Sequence, residues 1–465
     1  MFGSEVYQQR RKQLQAQFSG GLLLFLGNEE SPVNFFDNTY PFRQDSNFLY
    51  YFGISSPKLA AIIDIDADAT IIFGDEMTID ELVWMGRQQT LAEKAALSGL
   101  SDVRPFLQLE PIINVARQKG RTLHYLPPYR AENILKIASL LAIYPQSVKE
   151  NASLAFIKAI VAQRSVKSAI ELAELDKASS VSADMHLLAM QRARPGMKEQ
   201  ELAAAVHKVA IKGGGNLAYP IILTVNGQIL HNHYHGNTLK EGDMVLNDSG
   251  AETAMGYAGD LTRTFPAGKT FTSRQRELYE LVLESYNKAV STLKPGQRFL
   301  DVHKTACLTL ANGLKALGLM KGDMEEAVAQ GAHALFFQCG TGHMMGLDVH
   351  DMEDLGEQYV GYTDTLKKNT TQFGLKSLRL GKALEEGYVL TVEPGLYFIP
   401  ELIDQWRAAH KFADFISYDK VAAYKDFGGI RVEDDYVITA DGYRKLGKAL
   451  AISVNEVEEI RRAAY

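Results

Sequence analysis

Two aspartates, Asp248 and Asp260, occupy a segment of the 465-residue chain that predicts two strands joined by a turn, MVLNDSGAETAMGYAGDLTRTFP. If the strands fold back around Ala254, the two carboxylates lie opposite each other in an antiparallel pair, close enough to share one partner. Two anions at this separation repel, so they need a cation or a shared proton between them. The segment therefore predicts a strand pair that carries an acidic site.

Three further residues of metal-ligating type stand in strand-like or glycine-rich surroundings. His343 lies in CGTGHMMGLDVHD, Glu393 ends the apolar strand pattern of YVLTVEPG, and Glu433 lies in GGIRVEDDYVIT. Taken singly, an aspartate is more often a turn residue, a glutamate a solvated strand residue and a histidine a satisfied side chain. Together with the two aspartates, they make four carboxylates and one imidazole. This set suits two divalent ions such as manganese, with iron, cobalt or zinc as alternatives.

The first third of the chain alternates short apolar runs with helical patterns, which is typical of an α/β domain. Four runs predict strands: 21–27, 60–66, 70–75 and 122–127. Two segments predict one helix each: 75–99 and 129–144. A long amphipathic helix, predicted to begin near residue 169, marks the end of this part. We therefore expect an N-terminal domain over 1–166.

The remaining residues, 167–465, show a different pattern. Two helices are followed by strands rich in Gly and Asp, then by two more helices, 273–293 and 299–317, and by a second group of strands, 387–398 and 429–438. Helices grouped apart from a mostly antiparallel sheet indicate an α+β domain. The polar stretch 352–384 is expected to form a long loop over the acidic site.

Charge and hydropathy exclude two classes of partner. The formal net charge is −7 and the pI is near 5.9, without the basic stripe that accompanies nucleic-acid binding. No stretch of about 18 uncharged apolar residues could span a bilayer, and the first residues lack the apolar core of a secretory signal. We therefore expect a cytoplasmic protein that binds neither nucleic acid nor membrane. Its two cysteines, Cys307 and Cys339, form no CxxC pair and indicate neither a disulfide scaffold nor a zinc ribbon.

Over nearly the whole chain, the motifs are similar to those of the Xaa-Pro aminopeptidase and prolidase branch of the pita-bread metallopeptidases. The matching segments are DSGAE, GYAGDLTRTFP, GLDVHD, TVEPGLYF and GIRVEDD. The resemblance implies an α/β creatinase-like N-terminal domain followed by an α+β pita-bread catalytic domain with a mostly antiparallel sheet. It also implies two divalent metal ions, manganese first, and five metal ligands: Asp248, Asp260, His343, Glu393 and Glu433.

The resemblance assigns further roles to individual residues. Glu393 would bind a metal and also act as the acid/base that handles the proton of the attacking water. His231 matches a histidine beside the metals that contacts substrate and stabilises the oxyanion, with His233 as a rival for this position. His350 matches a second histidine that assists proton transfer, and Arg431 matches an arginine that supports the site.

The N-terminal part resembles the same family, because YPFRQDSNFLYYFG at 40–53 matches the signature of its creatinase-like domain. Trp84 resembles a tryptophan that closes the proline pocket of a neighbouring subunit, which implies a homodimer or homotetramer. A buried anchor within its own domain is the alternative for this residue.

Three departures from the family pattern are visible. Cys339 stands where many members carry a histidine, four residues before His343, and a thiol cannot replace an imidazolium as a proton donor. One extra residue separates Asp248 from Asp260, which we expect the hairpin tip or a bulge to absorb. The segment 398–429 is longer than in short bacterial members.

The resemblance leaves two activities open. YPFRQDSNF and GYAGDLTRTFP are closer to the aminopeptidases, which remove an N-terminal residue that precedes proline. GLKSLR at 374–379 and the long insertion are closer to the prolidases, in which an arginine at the place of Arg379 grips the carboxylate of a dipeptide. An arginine without substrate contact is the alternative for Arg379. We expect an Xaa-Pro aminopeptidase, with an Xaa-Pro dipeptidase as the second interpretation.

Three rivals share the catalytic fold. A methionine aminopeptidase is disfavoured by the large N-terminal domain, and a creatinase uses no metal. A non-catalytic binding protein of this fold should have lost ligands, whereas this chain retains all five.

Overall fold

The computed structural model describes residues 1–465. The α-helices are α1 (Ser4–Gln15), α2 (Ser46–Phe52), α3 (Ile79–Met85), α4 (Leu91–Leu97), α5 (Leu109–Gln118), α6 (Ala131–Leu141), α7 (Leu154–Ser165), α8 (Ala169–Arg192), α9 (Glu199–Lys212), α10 (Ser273–Ser291), α11 (Phe299–Ala316), α12 (Met324–Gln330), α13 (Glu357–Val360), α14 (Pro400–Ala408), α15 (Tyr418–Val421) and α16 (Val454–Ala463). The strands are β1 (Leu22–Leu26), β2 (Pro32–Phe35), β3 (Asn38–Thr39), β4 (Ala60–Asp64), β5 (Ala69–Phe73), β6 (Val103–Arg104), β7 (Leu123–Tyr125), β8 (Asn216–Leu217), β9 (Ile222–Thr224), β10 (Met244–Asp248), β11 (Ala251–Glu252), β12 (Thr262–Pro266), β13 (Val389–Val392), β14 (Gly395–Tyr397), β15 (Gly429–Arg431), β16 (Asp434–Ile438) and β17 (Tyr443–Lys445).

The chain divides into two compact units: Met1–Arg164 with Asp354–Tyr359, and Ser165–Glu353 with Val360–Tyr465. We keep 1–166 and 167–465 as the proposed domain division. None of the helices combines the length and the apolar character needed to cross a bilayer.

A five-stranded sheet with the order β6-β5-β4-β1-β7 forms the centre of the first unit. β1 is antiparallel to β4 and parallel to β7, so the sheet is mixed. All four predicted strands are present, and the edge strand β6 is an addition. Leu24 and Ile62 of this sheet share one buried core with Ile113 of α5 and Ile137 of α6. The α/β class predicted for this part is confirmed.

The segment 75–99 is not the single helix that its pattern predicts. Gly86, directly after α3, has a φ of +72°, which a continuing right-handed helix does not accept. Thr78 and Thr90 each form a capping box with the glutamate three residues further on, so each starts its own short helix. Two local caps and one glycine thus override the longer helical pattern.

Helix α3 has no buried residue. Trp84 on this helix is 85% exposed, and its neighbours Val83 and Met85 are also exposed. The alternative of a buried anchor within its own domain is therefore wrong for Trp84.

Every strand pair of the second unit is antiparallel. Two sheets of this unit have three strands each: one contains β9, β10 and β12, and the other contains β13, β16 and β17. Two further sheets are two-stranded, one formed by β8 and β11 and the other by β14 and β15. A bridge between Thr262 and Glu433 joins the first of these sheets to the residues between β15 and β16. The predicted α+β class with a mostly antiparallel sheet is confirmed.

A buried ion pair fastens β12 to β16 beside this bridge. Nη2 of Arg263 lies 2.9 Å from Oδ1 of Asp434, and both side chains are fully buried. The guanidinium also donates to three backbone carbonyls. Because Arg263→Met leaves a buried carboxylate without this partner, we expect it to lower the free energy of unfolding by about 3–5 kcal/mol.

The matched control is Arg274→Met, which removes an exposed ion pair with Asp426. Exposed pairs contribute at most about 1 kcal/mol, so this variant should unfold close to the wild type. Urea unfolding followed by circular dichroism measures both. Equal decreases in the free energy of unfolding for the two variants would contradict the stabilising role of the buried Arg263–Asp434 ion pair.

Candidate metal centre

Asp248 pairs with Thr262 in the ladder between β10 and β12. The register is unbroken as far as Thr253, whose N–H donates to the carbonyl of Tyr257 at 2.9 Å. The hairpin therefore contains no bulge. The one residue by which the spacing of Asp248 and Asp260 exceeds the family pattern is accommodated at the hairpin tip. Asp260 lies diagonally across from Asp248 rather than directly opposite, which corrects the predicted pairing. Diagonal neighbours still share one face of a sheet, so both carboxylates reach the same site.

Tyr219 contacts both aspartates. Its hydroxyl oxygen lies 2.8 Å from Oδ1 of Asp248 and 2.5 Å from Oδ1 of Asp260. Burial and the two aspartate charges raise the pKa of Tyr219 well above its ordinary value, so the hydroxyl keeps its proton. A hydroxyl has one proton to donate, so it can fully satisfy only one of the two carboxylates at a time. No sequence signal marks this residue, which lies in the apolar stretch LAYPIILT.

His343 presents Nε2 to the carboxylates. Its Nδ1 lies 3.1 Å from the carbonyl oxygen of Met344, a contact that assigns the N–H to Nδ1. Nε2 faces the carboxylates and lies 3.3 Å from Oδ2 of Asp260 and 3.8 Å from Oε1 of Glu393. Either a proton on Nε2 or a bound cation can satisfy these carboxylates, and a neutral imidazole offers the lone pair that a metal ion binds.

Glu393 lies between β13 and β14, where the chain turns at the following proline, and its N–H donates to the carbonyl of Thr341 at 2.7 Å. Burial raises the pKa of Glu393 to about 7, although the charge of Arg431 opposes the shift. Glu433 accepts a hydrogen bond of 2.6 Å from the hydroxyl of Thr262. Burial, with the charge of Asp260 second, raises the pKa of Glu433 well above its ordinary value.

Arg431 supplies a buried positive charge at the edge of this cluster. Its Nη2 forms an ion pair with Oδ2 of Asp248. Nη1 lies 2.7 Å from the hydroxyl of Tyr397, and Nε lies 3.1 Å from the hydroxyl of Thr262. These contacts are consistent with the predicted supporting role of Arg431.

The donor set fits divalent cations. Ligand atoms of Asp260, His343 and Glu433 lie within 4.8 Å of one another. Four carboxylates face one buried arginine, and burial, together with the charges of neighbouring carboxylates, raises the pKa of both glutamates. Oxygen ligands with one imidazole suit hard or borderline divalent ions. The structure thus brings the five predicted ligands together, and their ligation is a proposal.

One pocket contains the predicted site residues of the second unit. Its lining includes Asp248, Asp260, His343, Glu393, Glu433, His231, His233, His350, Arg379, Arg431 and Cys339. Trp84, which belongs to the first unit, is not part of it. Since His231 and His233 both line the pocket, neither is excluded as the substrate-contacting histidine.

Two residues of the pocket wall, His350 and Arg379, are hydrogen-bonded to Glu353, a residue that the sequence analysis did not identify. Its Oε2 lies 2.5 Å from Nδ1 of His350 and 3.2 Å from Nε of Arg379. The bond to His350 and the charge of Arg379 hold the pKa of Glu353 at about 2. The imidazoles of His350 and His343 are 4.3 Å apart between ring centroids. The position of Glu353, three residues after His350 in HDMED, is the signal that could have identified it.

Cys339 lines the pocket as an uncharged thiol. Burial, with the charge of Glu393 second, raises the pKa of Cys339 to about 12. The thiol therefore keeps its proton at neutral pH and cannot supply the positive charge of an imidazolium.

Comparisons with known proteins place this geometry in a family context. Residues 173–440 match the model described as metallopeptidase family M24, and residues 7–124 match that of the aminopeptidase P N-terminal domain. Among curated relatives, the Xaa-Pro aminopeptidase of Escherichia coli is 31% identical over 98% of this chain and 98% of its own length. The human Xaa-Pro dipeptidase is 30% identical over 95% of this chain and 88% of its own length.

Solved structures agree with these matches. A structure described as Pseudomonas aeruginosa aminopeptidase PepP covers 100% of this chain and 99% of its own, with a TM-score of 0.81 and 27% identity. A zinc-substituted E. coli aminopeptidase P in complex with product has the same coverage, a TM-score of 0.81 and 30% identity. The predicted fold, a creatinase-like N-terminal domain followed by a pita-bread domain, is confirmed.

Proposed function

The chain belongs to metallopeptidase family M24, and on this premise we propose that it is an Xaa-Pro aminopeptidase that hydrolyses the peptide bond before a penultimate proline. The main observation behind this proposal is that five residues of metal-ligating type line the same pocket. Support comes from the match along almost the whole length to the E. coli Xaa-Pro aminopeptidase.

In the proposed reaction, bound divalent ions would supply Lewis-acid activation of a water molecule and of the scissile carbonyl. The residues that would hold them are Asp248, Asp260, His343, Glu393 and Glu433. Glu393 takes the proton of the attacking water, because its carboxylate lies in the pocket beside the other proposed ligands. The proton then passes to the proline nitrogen as it leaves.

His350 and His231 act on the substrate from the pocket wall. The carboxylate of Glu353 accepts the Nδ1–H of His350, which leaves Nε2 to exchange a proton with the peptide. Burial lowers the pKa of His350, and the bond to Glu353 opposes this shift by stabilising the imidazolium form, as in other carboxylate–histidine pairs. His231 would hydrogen-bond the developing oxyanion.

Glu353→Gln is expected to lower kcat/KM by about 10–100-fold, the usual cost of removing a carboxylate that orients a functional histidine. Because Glu353 acts through His350, the pH dependence of kcat/KM should also shift. The control is Glu386→Gln, which makes the same change at an exposed position. A wild-type rate and pH profile for Glu353→Gln would contradict the positioning role.

The second candidate is an Xaa-Pro dipeptidase. Arg379 favours it, because a guanidinium in the pocket can bind the free carboxylate of a dipeptide. Hydrolysis of an Xaa-Pro dipeptide and an Xaa-Pro-Xaa tripeptide by the manganese-restored enzyme separates the two. Ready cleavage of the tripeptide supports the aminopeptidase. Cleavage of the dipeptide alone, lost in Arg379→Met, would make the protein a dipeptidase.

We further propose manganese as the native metal, on the grounds of the oxygen-rich ligand set; metal analysis of the purified protein tests this. We also propose a homodimer or homotetramer, supported by the exposed apolar side chains of α3 around Trp84. Sedimentation of the wild type and of Trp84→Ala measures the assembly. A cytoplasmic location remains a prediction, which cell fractionation tests.

A further inference from the structure

A second group of metal-ligating side chains lies outside the pocket already described. His303 and Cys307 are four residues apart on α11, so both side chains lie on one face of the helix. The Sγ atom of Cys307 lies 3.4 Å from Nε2 of His303. His333, in the short helical turn between α12 and Phe336, completes the group. All three residues are at most 3% exposed, and we refer to them as the His–Cys–His cluster.

The hydrogen bonding of the His–Cys–His cluster is incomplete. Nδ1 of His303 lies 2.8 Å from the hydroxyl of Thr341, which leaves Nε2 with only the weak sulfur contact to Cys307. His333, by contrast, has no partner for either ring nitrogen although it is buried. A buried polar group without a partner costs about 1–3 kcal/mol, so such groups are uncommon in the absence of a ligand.

We propose that His303, Cys307 and His333 form a structural metal site, distinct from the catalytic cluster, that takes a borderline-soft divalent ion, zinc first. The ligand atoms of the three residues lie within 4.8 Å of one another. Zinc bonds of about 2.3 Å to sulfur and about 2.0–2.1 Å to nitrogen, at a tetrahedral angle, place the two atoms about 3.6 Å apart. Sγ of Cys307 lies 3.4 Å from Nε2 and 3.9 Å from Nδ1 of His303, so it stands beside the ring, and sharing an ion with Nε2 requires a rotation of the Cys307 side chain.

The chemistry of the donors separates this site from the catalytic one. One thiolate and two imidazoles prefer zinc, whereas the catalytic set is dominated by carboxylate oxygens. Burial lowers the pKa of His333 to about 4 and that of His303 to about 3, so both rings are neutral and offer lone pairs at neutral pH. Binding replaces the thiol proton of Cys307, which is released to solvent as the sulfur–metal bond forms.

The site is coupled to the catalytic pocket through Thr341. The hydroxyl of Thr341 contacts His303, and its carbonyl accepts the N–H of Glu393 at 2.7 Å. An ion that immobilises His303 therefore also fixes the segment that leads to His343. The role is structural, and hydrolysis is not required to test it.

Cobalt substitution tests the proposal on the full chain. A thiolate bound to cobalt gives a near-ultraviolet charge-transfer band that oxygen and nitrogen ligands do not give. The wild type and Cys339→Ser should show the band, because the catalytic-pocket thiol is not a ligand, and Cys307→Ser should lack it. An Asp260→Asn protein, damaged in the catalytic cluster, should keep it.

No band in the wild type, or a band that survives Cys307→Ser, would overturn the proposal. A band lost in Cys339→Ser would assign the thiolate to the catalytic pocket and would also overturn it. X-ray absorption of the zinc-loaded wild type needs no variant: with zinc also at the two proposed catalytic positions, about one sulfur neighbour per three zinc ions is expected at about 2.3 Å, and zero sulfur neighbours would refute the site. Because none of these readouts uses peptide hydrolysis, failure here leaves the proposed catalytic function untouched.

Discussion

Replacing Glu393 with glutamine is expected to lower kcat for an Xaa-Pro-Xaa peptide by about 10³-fold or more. A general acid–base group alone contributes about 10²–10⁴-fold, and this change also removes a charged ligand from the proposed metal centre. The amide has nearly the same shape as the carboxylate, so the pocket is preserved. Steady-state kinetics at saturating peptide measures the effect.

Glu386→Gln is the matched control, because it makes the same change at an exposed position a few residues earlier in the chain. It should retain the wild-type rate. The metal-free Glu393→Gln protein should also be no less stable than the wild type at pH 8. Burial raises the pKa of Glu393, so at this pH the ionised carboxylate destabilises the folded wild type, and the substitution removes that cost. A Glu393→Gln enzyme that keeps a tenth or more of the wild-type kcat would contradict the role assigned to Glu393.

Manganese added to the metal-free protein is expected to stabilise it more at pH 8 than at pH 5.5. Burial raises the pKa of Glu393 to about 7 and that of Glu433 well above its ordinary value. At these two glutamates the folded chain therefore holds more protons than the unfolded chain, and their contribution to stability falls as the pH rises above about 4.3 towards 7. A bound cation neutralises the carboxylates in place of protons. At a free concentration 100 times its dissociation constant, it raises the free energy of unfolding by about 2.7 kcal/mol.

Urea unfolding at the two pH values, with and without manganese, measures this gain. Asp260→Asn should reduce it, because Asp260 lies between His343 and Tyr219 at the centre of the cluster. A gain that is absent, or equal at the two pH values, would contradict the proposed metal centre.

Strand positions were predictable because buried strands carry unbroken apolar runs. The predictions at 21–27 and 60–66 correspond to β1 and β4 within two residues at each end. The single helix predicted over 75–99 was wrong because hydrophobic pattern does not record capping. The local capping boxes of Thr78 and Thr90 decide the outcome there.

The candidate site was predictable to the extent that its residues lie in distinctive motifs. Asp248 and Asp260 flank a recognisable hairpin, yet their diagonal relation depends on a register that spacing alone leaves open. Tyr219 and Glu353 were missed for a different reason. A buried tyrosine such as Tyr219, which acts through contacts with residues distant in the chain, has no distinguishing pattern in sequence. The spacing of Glu353, three residues after His350, becomes informative only once His350 is given a role.

The central claim is that this pocket hydrolyses the peptide bond before proline with the help of divalent ions. The most direct measurement is the release of the N-terminal residue from an Xaa-Pro-Xaa peptide and a matched Xaa-Ala-Xaa peptide by metal-stripped protein, before and after manganese is restored. We predict release from the proline peptide alone, and only after manganese is restored. Release from neither peptide, or equal release from both, would contradict the claim.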